Sequence, residues 1–284
     1  MAPDDLAQLD KTVAPDLAGG VYCRLSTRLN PFLMCQAFAR EAQRLGALVL
    51  THREVTGIVV HHGRVHGVKT GGRTVPCLVV VNAAGPNAAR VAAMVGVHLP
   101  VVLNLGVLVV TERLPRMGIR IKGECTEEDA GARNLDPLES RYDVHFVFSQ
   151  TKSGNCLIGR SGQRVIEPER FGLDAVTAIL HRACRFIPSL ARATVLRTFS
   201  GIRPYSPDLL PILGPVDEPR GYVVAAGFGD KGIALGPAGA ALVARSILEG
   251  YNTIPARFLP SRFSRTGESH LKAKGATGGD DVRS

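Results

Sequence analysis

At 284 residues, 45% hydrophobic and 21% charged, the chain is long enough for one large or two intimately packed domains and too apolar to be disordered. No run of about 18 apolar residues is present, so no transmembrane helix is expected; the acidic opening MAPDDLAQLDK is unlike a secretory signal, and a cytoplasmic location is expected. The net charge of +9 is scattered, in part over Arg257, Arg262, Arg265, Lys272, Lys274 and Arg283, with no aromatic-interleaved basic stripe, which excludes the usual nucleic-acid pattern and fits surface solubility or an anionic cofactor.

In chain order, Asn30-Pro31 opens an amphipathic helix, FLMCQAFAREAQRLGA, with Gly46 just past its last turn. A β-rich stretch follows: ALVL, EVTGIVVHH, GRVHGVKT and PCLVVVNAAG, with turns at His62-Gly63 and Gly71-Gly72. CLVVVNAA hardly alternates, as expected of a strand buried on both faces. NAARVAAMVG reads as a short helix. VVLNLGVLVVTER, DVHFVFSQ and NCLIGR read as strands, with a polar loop or lid between Gly118 and Arg141. FGLDAVTAILHRACRFIP is a helix stopped by Pro188, and TVLRTFSGIRP is a strand entering a proline-rich turn. GYVVAAGFGDKGIALGPAGAALVARSILEG is strand, glycine loop, helix; residues 264–284 read as a disordered tail. The six cysteines (Cys23, Cys35, Cys77, Cys125, Cys156, Cys184) form no CxxC pair, and reduced, mostly buried thiols without metal are expected.

Gly227-Phe228-Gly229-Asp230-Lys231-Gly232 formally matches the dinucleotide fingerprint GxGxxG. No second parallel strand follows its helix, and Glu249 sits at a helix end rather than a strand end, so this is not a conventional dinucleotide unit. Its glycines still allow close backbone approach, and the helix N-terminus favours a group that becomes anionic, such as the N1/O2 edge of a reduced flavin. A plain strand-to-helix turn without a ligand explains the same residues.

LNPFLMCQAFAREAQRLGA, EVTGIVVHHGRVHGVKT, VVVNAAGPNAARVAAMVG, GIRPYSPDLLPILGPV and YVVAAGFGDKGIALGPAGAALVARSIL together, in this order, resemble the FAD-dependent oxidoreductases of the D-amino-acid oxidase superfamily, among them glycine oxidase, the sarcosine oxidase β-subunit and dehydrogenases of proline and opines. The resemblance covers about residues 20–263. It implies an α/β (α+β) fold: a Rossmann-like FAD-binding domain interleaved with an antiparallel-sheet substrate domain. Residues 20–99 and 195–255 would be mainly FAD-binding and 100–194 mainly substrate-binding. It also implies that Val55 meets the adenine and that the turn at Asn82, Ala83, Ala84 and Gly85 lies near the cofactor. Gly227, Phe228, Gly229, Asp230, Lys231, Gly232 and Ile233 would hold the flavin's pyrimidine edge, with Gly201 and Ile202 also at the cofactor. Arg203, in GIRP, would lie by the flavin and grip a substrate carboxylate. Members of the superfamily open with strand, GxGxxG, helix and a ribose-binding acid, whereas the opening of this chain already matches their interior. The fold is therefore expected to be N-terminally truncated, with weak or no FAD retention by the chain alone.

The implied reaction is hydride transfer from the amine-bearing carbon of a small amine or amino acid to flavin N5. Arg203 offers a planar fork for the carboxylate, or a structural ion pair with Asp208. Tyr142, His145 and Tyr205 either line the pocket or pack with satisfied polar tips, and His52, His61, His62 and His66 are expected to face solvent. Three functions compete: a flavin-dependent oxidoreductase, alone or with a second subunit or as an oligomer; a catalytically incomplete fragment or subunit that needs a separate nucleotide-binding piece; and a basic binding protein without cofactor. On the first two, the strands near residues 79–84 and 221–226 share a sheet, the helix from Ile233 packs on it, and the two glycine turns lie on one side.

Overall fold

The structure, a computed structural model, describes residues 1–123, 136–165, 171–250 and 253–263. The expected tail at 264–284, Cys125 and most of the expected lid lie outside the described residues. The elements begin with α1 (Pro3–Leu9), α2 (Pro31–Arg44), β1 (Val55–His61), β2 (Arg64–Thr70), β3 (Arg73–Pro76), β4 (Val80–Asn82) and α3 (Ala88–Ala93). They continue with β5 (Val102–Arg113), β6 (Ile121–Gly123), α4 (Pro137–Arg141), β7 (Val147–Gln150), β8 (Asn155–Gly159), β9 (Gln163–Val165) and α5 (Leu173–Phe186). The last are β10 (Val195–Tyr205), β11 (Ile212–Pro215), β12 (Tyr222–Ala226) and α6 (Gly232–Glu249).

The chain divides into two compact units, each made of two separate stretches: residues 1–51 with 102–204, and residues 52–101 with 205–284. Residues 20–51 and 195–204, grouped above with the expected nucleotide-binding part, thus cluster with 102–194.

The first unit is built on a six-stranded sheet of order β10-β5-β8-β7-β6, with β9 also on β5. The ladders of β5 with β8 and β9, and of β7 with β6 and β8, are antiparallel. The helix α5 covers this sheet because its apolar residues fall on one face. Ala175, Ile179 and Ala183 meet Val107, Val109, Phe148 and Ile158 from the strands and Phe146 just before β7, all buried. Helix α2 starts where the sequence predicts: the Asn30 side chain accepts from the N–H of Phe32 and Leu33, at 3.0 and 3.3 Å, beside Pro31. No α2 residue is buried.

Asp10 anchors the same unit. Its carboxylate accepts from the Thr12 hydroxyl (2.6 Å) and the Ile119 N–H (3.0 Å) and pairs with the buried Lys122 ammonium at 3.0 Å. Burial pushes the Asp10 carboxyl up, but the hydrogen bonds from Thr12, Lys122 and Ile119 outweigh it and leave the group below its ordinary value.

The second unit holds two three-stranded sheets. The meander β1-β2-β3 turns at His62-Gly63 (φ 46° and 70°) and at Gly71-Gly72 (φ 56° and 75°). Both are the two-residue turns in which each central position needs positive φ, as the sequence predicts. His52, His61, His62 and His66 are all exposed. The other sheet has the order β11-β12-β4, with β11–β12 antiparallel and β12–β4 parallel. One face buries Tyr222 and Val224 against Ile58, Val65, Ala88 and Ala92; the other buries Leu213 and Val223 against Val243 of α6.

Two expectations are corrected. ALVL is not a strand: residues 47–50 find no ladder among the described residues and are exposed. CLVVVNAA yields only the three residues of β4, and it is not buried on both faces, since Val81 is 42% exposed at the sheet edge. The cysteines differ in part: the five described are free thiols, but Cys23 and Cys35 are exposed. Helix α6 with the turn before it, Gly229–Glu249, is long and apolar enough by length and composition to cross a membrane, and 17% of that window is buried.

Candidate functional site

The parallel pair β4–β12 sets the geometry. Val80, Val81 and Asn82 lie opposite Tyr222, Val223 and Val224, so both strands run the same way and their following turns leave at the same end. Ligands of open α/β sheets bind outside the carboxyl ends of such strands. The NAAG and GFGDKG turns therefore occupy one side of one unit.

Asn82 locks the first turn. Its side chain is buried, and Nδ2 donates to the Ala88 carbonyl and to the Tyr222 hydroxyl, both at 2.8 Å. Its Oδ1 accepts from the Ala84 N–H at 3.2 Å. Burial pushes the Tyr222 hydroxyl up to about 12, against the pull of the Asn82 hydrogen bond, so it remains a neutral phenol. The chain then passes Ala83 and Ala84 to Gly85, whose φ of +56° suits glycine and whose missing side chain would meet nothing within 4 Å. That open space borders the strand ends.

The second turn needs glycine for a different reason. Gly227 and Gly229 have φ of +74° and +56°, and a side chain on Gly229 would collide with the ring of Tyr205. Phe228 pairs with Tyr205 in an isolated antiparallel bridge. The turn Gly229–Lys231, with Asp230 exposed, feeds directly into α6, and a Cβ on Gly239 would sit 2.8 Å from Phe228, so that glycine lets the helix lie close to the turn. No side chain caps the start of α6, where Gly232 and the exposed Ile233 stand. The first turn of this 18-residue helix carries the positive end of its dipole. A helix start without a side-chain cap, at the same end of the sheet as the open space at Gly85, fits the pyrimidine end of a flavin, which gains negative charge on reduction. Val55, in the same unit, is the half-buried first residue of β1, opposite Thr70.

Arg203 belongs to the first unit, near the end of β10, with Gly201 and Ile202 just before it. Its guanidinium donates to the Asn104 side chain at 3.2 Å and to the Ser161 carbonyl at 3.1 Å. It lies over Gly106 of β5, where any side chain would overlap it. Asp208 is held instead by the fork of Arg262, at 2.7 and 3.0 Å, which with the Ser206 hydroxyl keeps its carboxyl below the ordinary value although burial pushes it up. Tyr142 is buried in the core, and Tyr205 packs under the glycine turn; both have packing roles. His145 lies 3.3 Å from the Asp143 carboxylate. Asn104, Gly106 and Ser161 escaped the sequence reading. The signal was available: an Asn and a Gly interrupt the apolar run of LNLGVLVV, and a glycine inside a strand marks close approach by another group.

Asp136, Glu139 and His181 also gather, with His181 Nδ1 2.8 and 2.9 Å from the two carboxylates. Arg182 already pairs with the buried Glu139 at 3.2 Å, so the cluster reads as an ion-pair network rather than a metal centre.

Residues 1–246 match the family described as FAD dependent oxidoreductase (DAO). The hydrogen cyanide synthase subunit HcnC of Pseudomonas aeruginosa is 30% identical, over 92% of this chain and 58% of its own length. The glycine oxidase of Geobacillus kaustophilus is 32% identical, over 82% of this chain and 57% of its own. The chain thus spans a little over half the length of these relatives. The crystal structure of that glycine oxidase superposes with a TM-score of 0.78 at 27% identity, over 92% of this chain and 66% of the other. The L-proline dehydrogenase of P. horikoshii reaches the same TM-score at 23% identity, which shows the shared fold. With its mixed helices and sheets, its paired glycine turns and this match over most of its length, the chain belongs to the DAO family of FAD-dependent oxidoreductases.

Proposed function

We propose that the chain serves in the FAD-dependent oxidation of an amine or amino acid, with hydride passing from the nitrogen-bearing carbon to flavin N5. The observation that carries this reading is that the uncapped start of α6 and the open space at Gly85 both follow the carboxyl ends of two parallel, paired strands. Bound FAD would supply the two-electron acceptor; the residues of this chain supply placement and charge. On this reading Gly227, Phe228, Gly229, Asp230, Lys231, Gly232 and Ile233 present backbone to the pyrimidine edge. Ala83, Ala84 and Gly85 line the cofactor, Val55 faces its adenine end, and Gly201 and Ile202 contribute from β10. Arg203 binds the substrate carboxylate, its fork aimed by Asn104 and Ser161. An amine that binds neutral needs no protein base, so the proton step asks for no triad or carboxylate pair. Similarity to a glycine oxidase and to a sarcosine dehydrogenase supports a small amino acid as substrate.

The test titrates purified protein with FAD and follows flavin fluorescence. Binding should saturate. Ile233→Asp places an acid in the first turn of α6, which suits the helix dipole but repels an anionic flavin edge. That variant should bind FAD at least tenfold more weakly with unchanged thermal stability. The reading fails if no saturable binding is seen up to roughly millimolar FAD, the weak end of specific affinity.

A further inference from the structure

Asp143 follows α4 with its backbone in the left-handed region (φ 44°), and its N–H donates to the Ser140 carbonyl at 3.1 Å. Aspartate and asparagine enter this region more readily than most side chains. Gly162, just before β9, donates its N–H to the Tyr142 carbonyl at 2.9 Å, which brings it beside Asp143. The Asp143 carboxylate splits its two oxygens. Oδ1 lies 3.3 Å from His145 Nε2, and Oδ2 lies over Gly162, 2.9 Å from where a Cβ would stand. Gly162 has no positive φ, so its backbone does not demand glycine; the closeness of that oxygen does.

Asn104 reaches the same place from β5. Its Oδ1 and Nδ2 lie 3.4 and 3.5 Å from that Cβ position, and the same Oδ1 accepts from Arg203 Nη1 at 3.2 Å. Asn104 and Gly106 share one side of β5, and the Arg203 guanidinium overlies Gly106. Two missing side chains, at Gly106 and Gly162, thus make room for a short polar row: the Asp143 carboxylate, the Asn104 amide and the Arg203 guanidinium. All three belong to the first unit. The row is negative at one end and positive at the other. An α-amino acid has the complementary polarity, a carboxylate for the guanidinium and, on the next carbon, a nitrogen with N–H donors. An ionised carboxylate only accepts hydrogen bonds, so Asp143 suits that nitrogen and repels a second carboxylate.

We propose that Asp143 is a specificity-determining residue: its Oδ2 accepts a hydrogen bond from the amino group of a substrate whose carboxylate lies on Arg203. The proposal rests on the reading of Arg203 as the carboxylate anchor. The bond needs one N–H, which a neutral amine retains, so it is compatible with oxidation of the neutral form. His145, on the other oxygen, fixes the rotation of the carboxylate and leaves Oδ2 for the ligand.

The experiment measures, by calorimetry on the full chain with and without saturating FAD, the binding of glycine and of acetate, which lacks only the amino group. Glycine should bind roughly tenfold more tightly than acetate, the worth of one charge-assisted hydrogen bond. Asp143→Asn keeps a residue suited to the left-handed backbone and removes the charge. In that variant glycine should fall to the level of acetate, while acetate binds no more weakly than before and the melting temperature holds. Gly162→Ala, which sets a methyl group against Oδ2, should erase the same preference. Equal affinity for the two ligands in the parent, or a preference that survives Asp143→Asn, overturns the proposal. So does an equal loss of both ligands in Asp143→Asn, which marks a structural role. Binding of neither ligand overturns it together with the Arg203 anchor. A preference that depends on Asp143 in protein that binds no FAD upholds it and counts against the flavin reading.

Discussion

Replacing Asn82 with alanine tests the lock on the first glycine turn. The substitution deletes two hydrogen bonds donated to the Ala88 carbonyl and the Tyr222 hydroxyl and one accepted from Ala84. Tyr222 is fully buried, so its hydroxyl is left unsatisfied at a cost of roughly 1–3 kcal/mol, whereas the Ala88 carbonyl keeps its place at the head of α3 and loses one of two hydrogen bonds, about 1 kcal/mol. The Ala84 N–H is half-buried and reaches water, so its loss adds about 1 kcal/mol or less. The expected cost is about 2–5 kcal/mol, a large share of the ~5–15 kcal/mol that holds a domain folded. Tyr222→Phe removes one orphan in advance, so the double variant should cost at least about 1 kcal/mol less than the sum of the singles. Urea unfolding followed by far-ultraviolet circular dichroism measures all three, and the chain has no tryptophan to supply a fluorescence signal. An Asn82→Ala variant within about 1 kcal/mol of the parent would refute the reasoning. The same pair sets an alkaline limit. Burial raises the Tyr222 hydroxyl from 10.0 to about 12 in the folded state. Its stabilisation is complete below the unfolded value and is lost as pH rises through the folded one. Stability should therefore fall between about pH 10 and 12 by roughly 2–3 kcal/mol, and Tyr222→Phe should abolish that fall.

Gly106→Ala should push the Arg203 guanidinium off Asn104 and Ser161 and weaken binding of a carboxylate ligand about as much as Arg203→Lys, by roughly 1–3 kcal/mol; parent-like affinity in both variants, measured calorimetrically with flavin present, would end the anchor role. Gly221→Ala puts a side chain at φ +86° against the Leu78 carbonyl and should cost more than about 2 kcal/mol, read as a fall in melting temperature; an unchanged melting temperature counts against a tight β4–β12 junction. The Asp10 carboxyl sits below its ordinary value when folded, so its contribution is full above the unfolded value and is lost as pH falls through the folded one. Acid unfolding of Asp10→Asn should therefore start from lower stability and show a shallower loss below about pH 4 than the parent; parallel curves would contradict the buried pair with Lys122.

Much of the fold was legible because local chemistry dictated it. Asn30-Pro31 announces the start of α2, the pairs His62-Gly63 and Gly71-Gly72 demand two-residue hairpin turns, and Pro188 stops α5. The strand–loop–helix around Gly227 was equally plain, because three glycines between an apolar strand and an apolar helix have few other uses. What the sequence concealed is non-local. That β4 keeps only three paired residues and an exposed side depends on which strands lie beside it, which its own apolar run does not encode. The surroundings of Arg203 come from β5 and from Ser161, far away in the chain, and Asp208 turned to Arg262 for the same reason.

The parallel pairing of β4 with β12 also has a consequence for biosynthesis. Asn82 must wait 140 residues for Tyr222 to leave the ribosome. At roughly 5–20 residues per second, that is about 7–30 s during which LVVVNAA is extruded before β12, its partner among the described residues. Its hydrogen-bonding groups and valines are then open to the holdase chaperones that bind unpaired apolar strands, and yield in the cell should depend on them. Slowing translation between residues 100 and 220 lengthens that window, and raising chaperone supply offsets it, with no change to the folded protein itself.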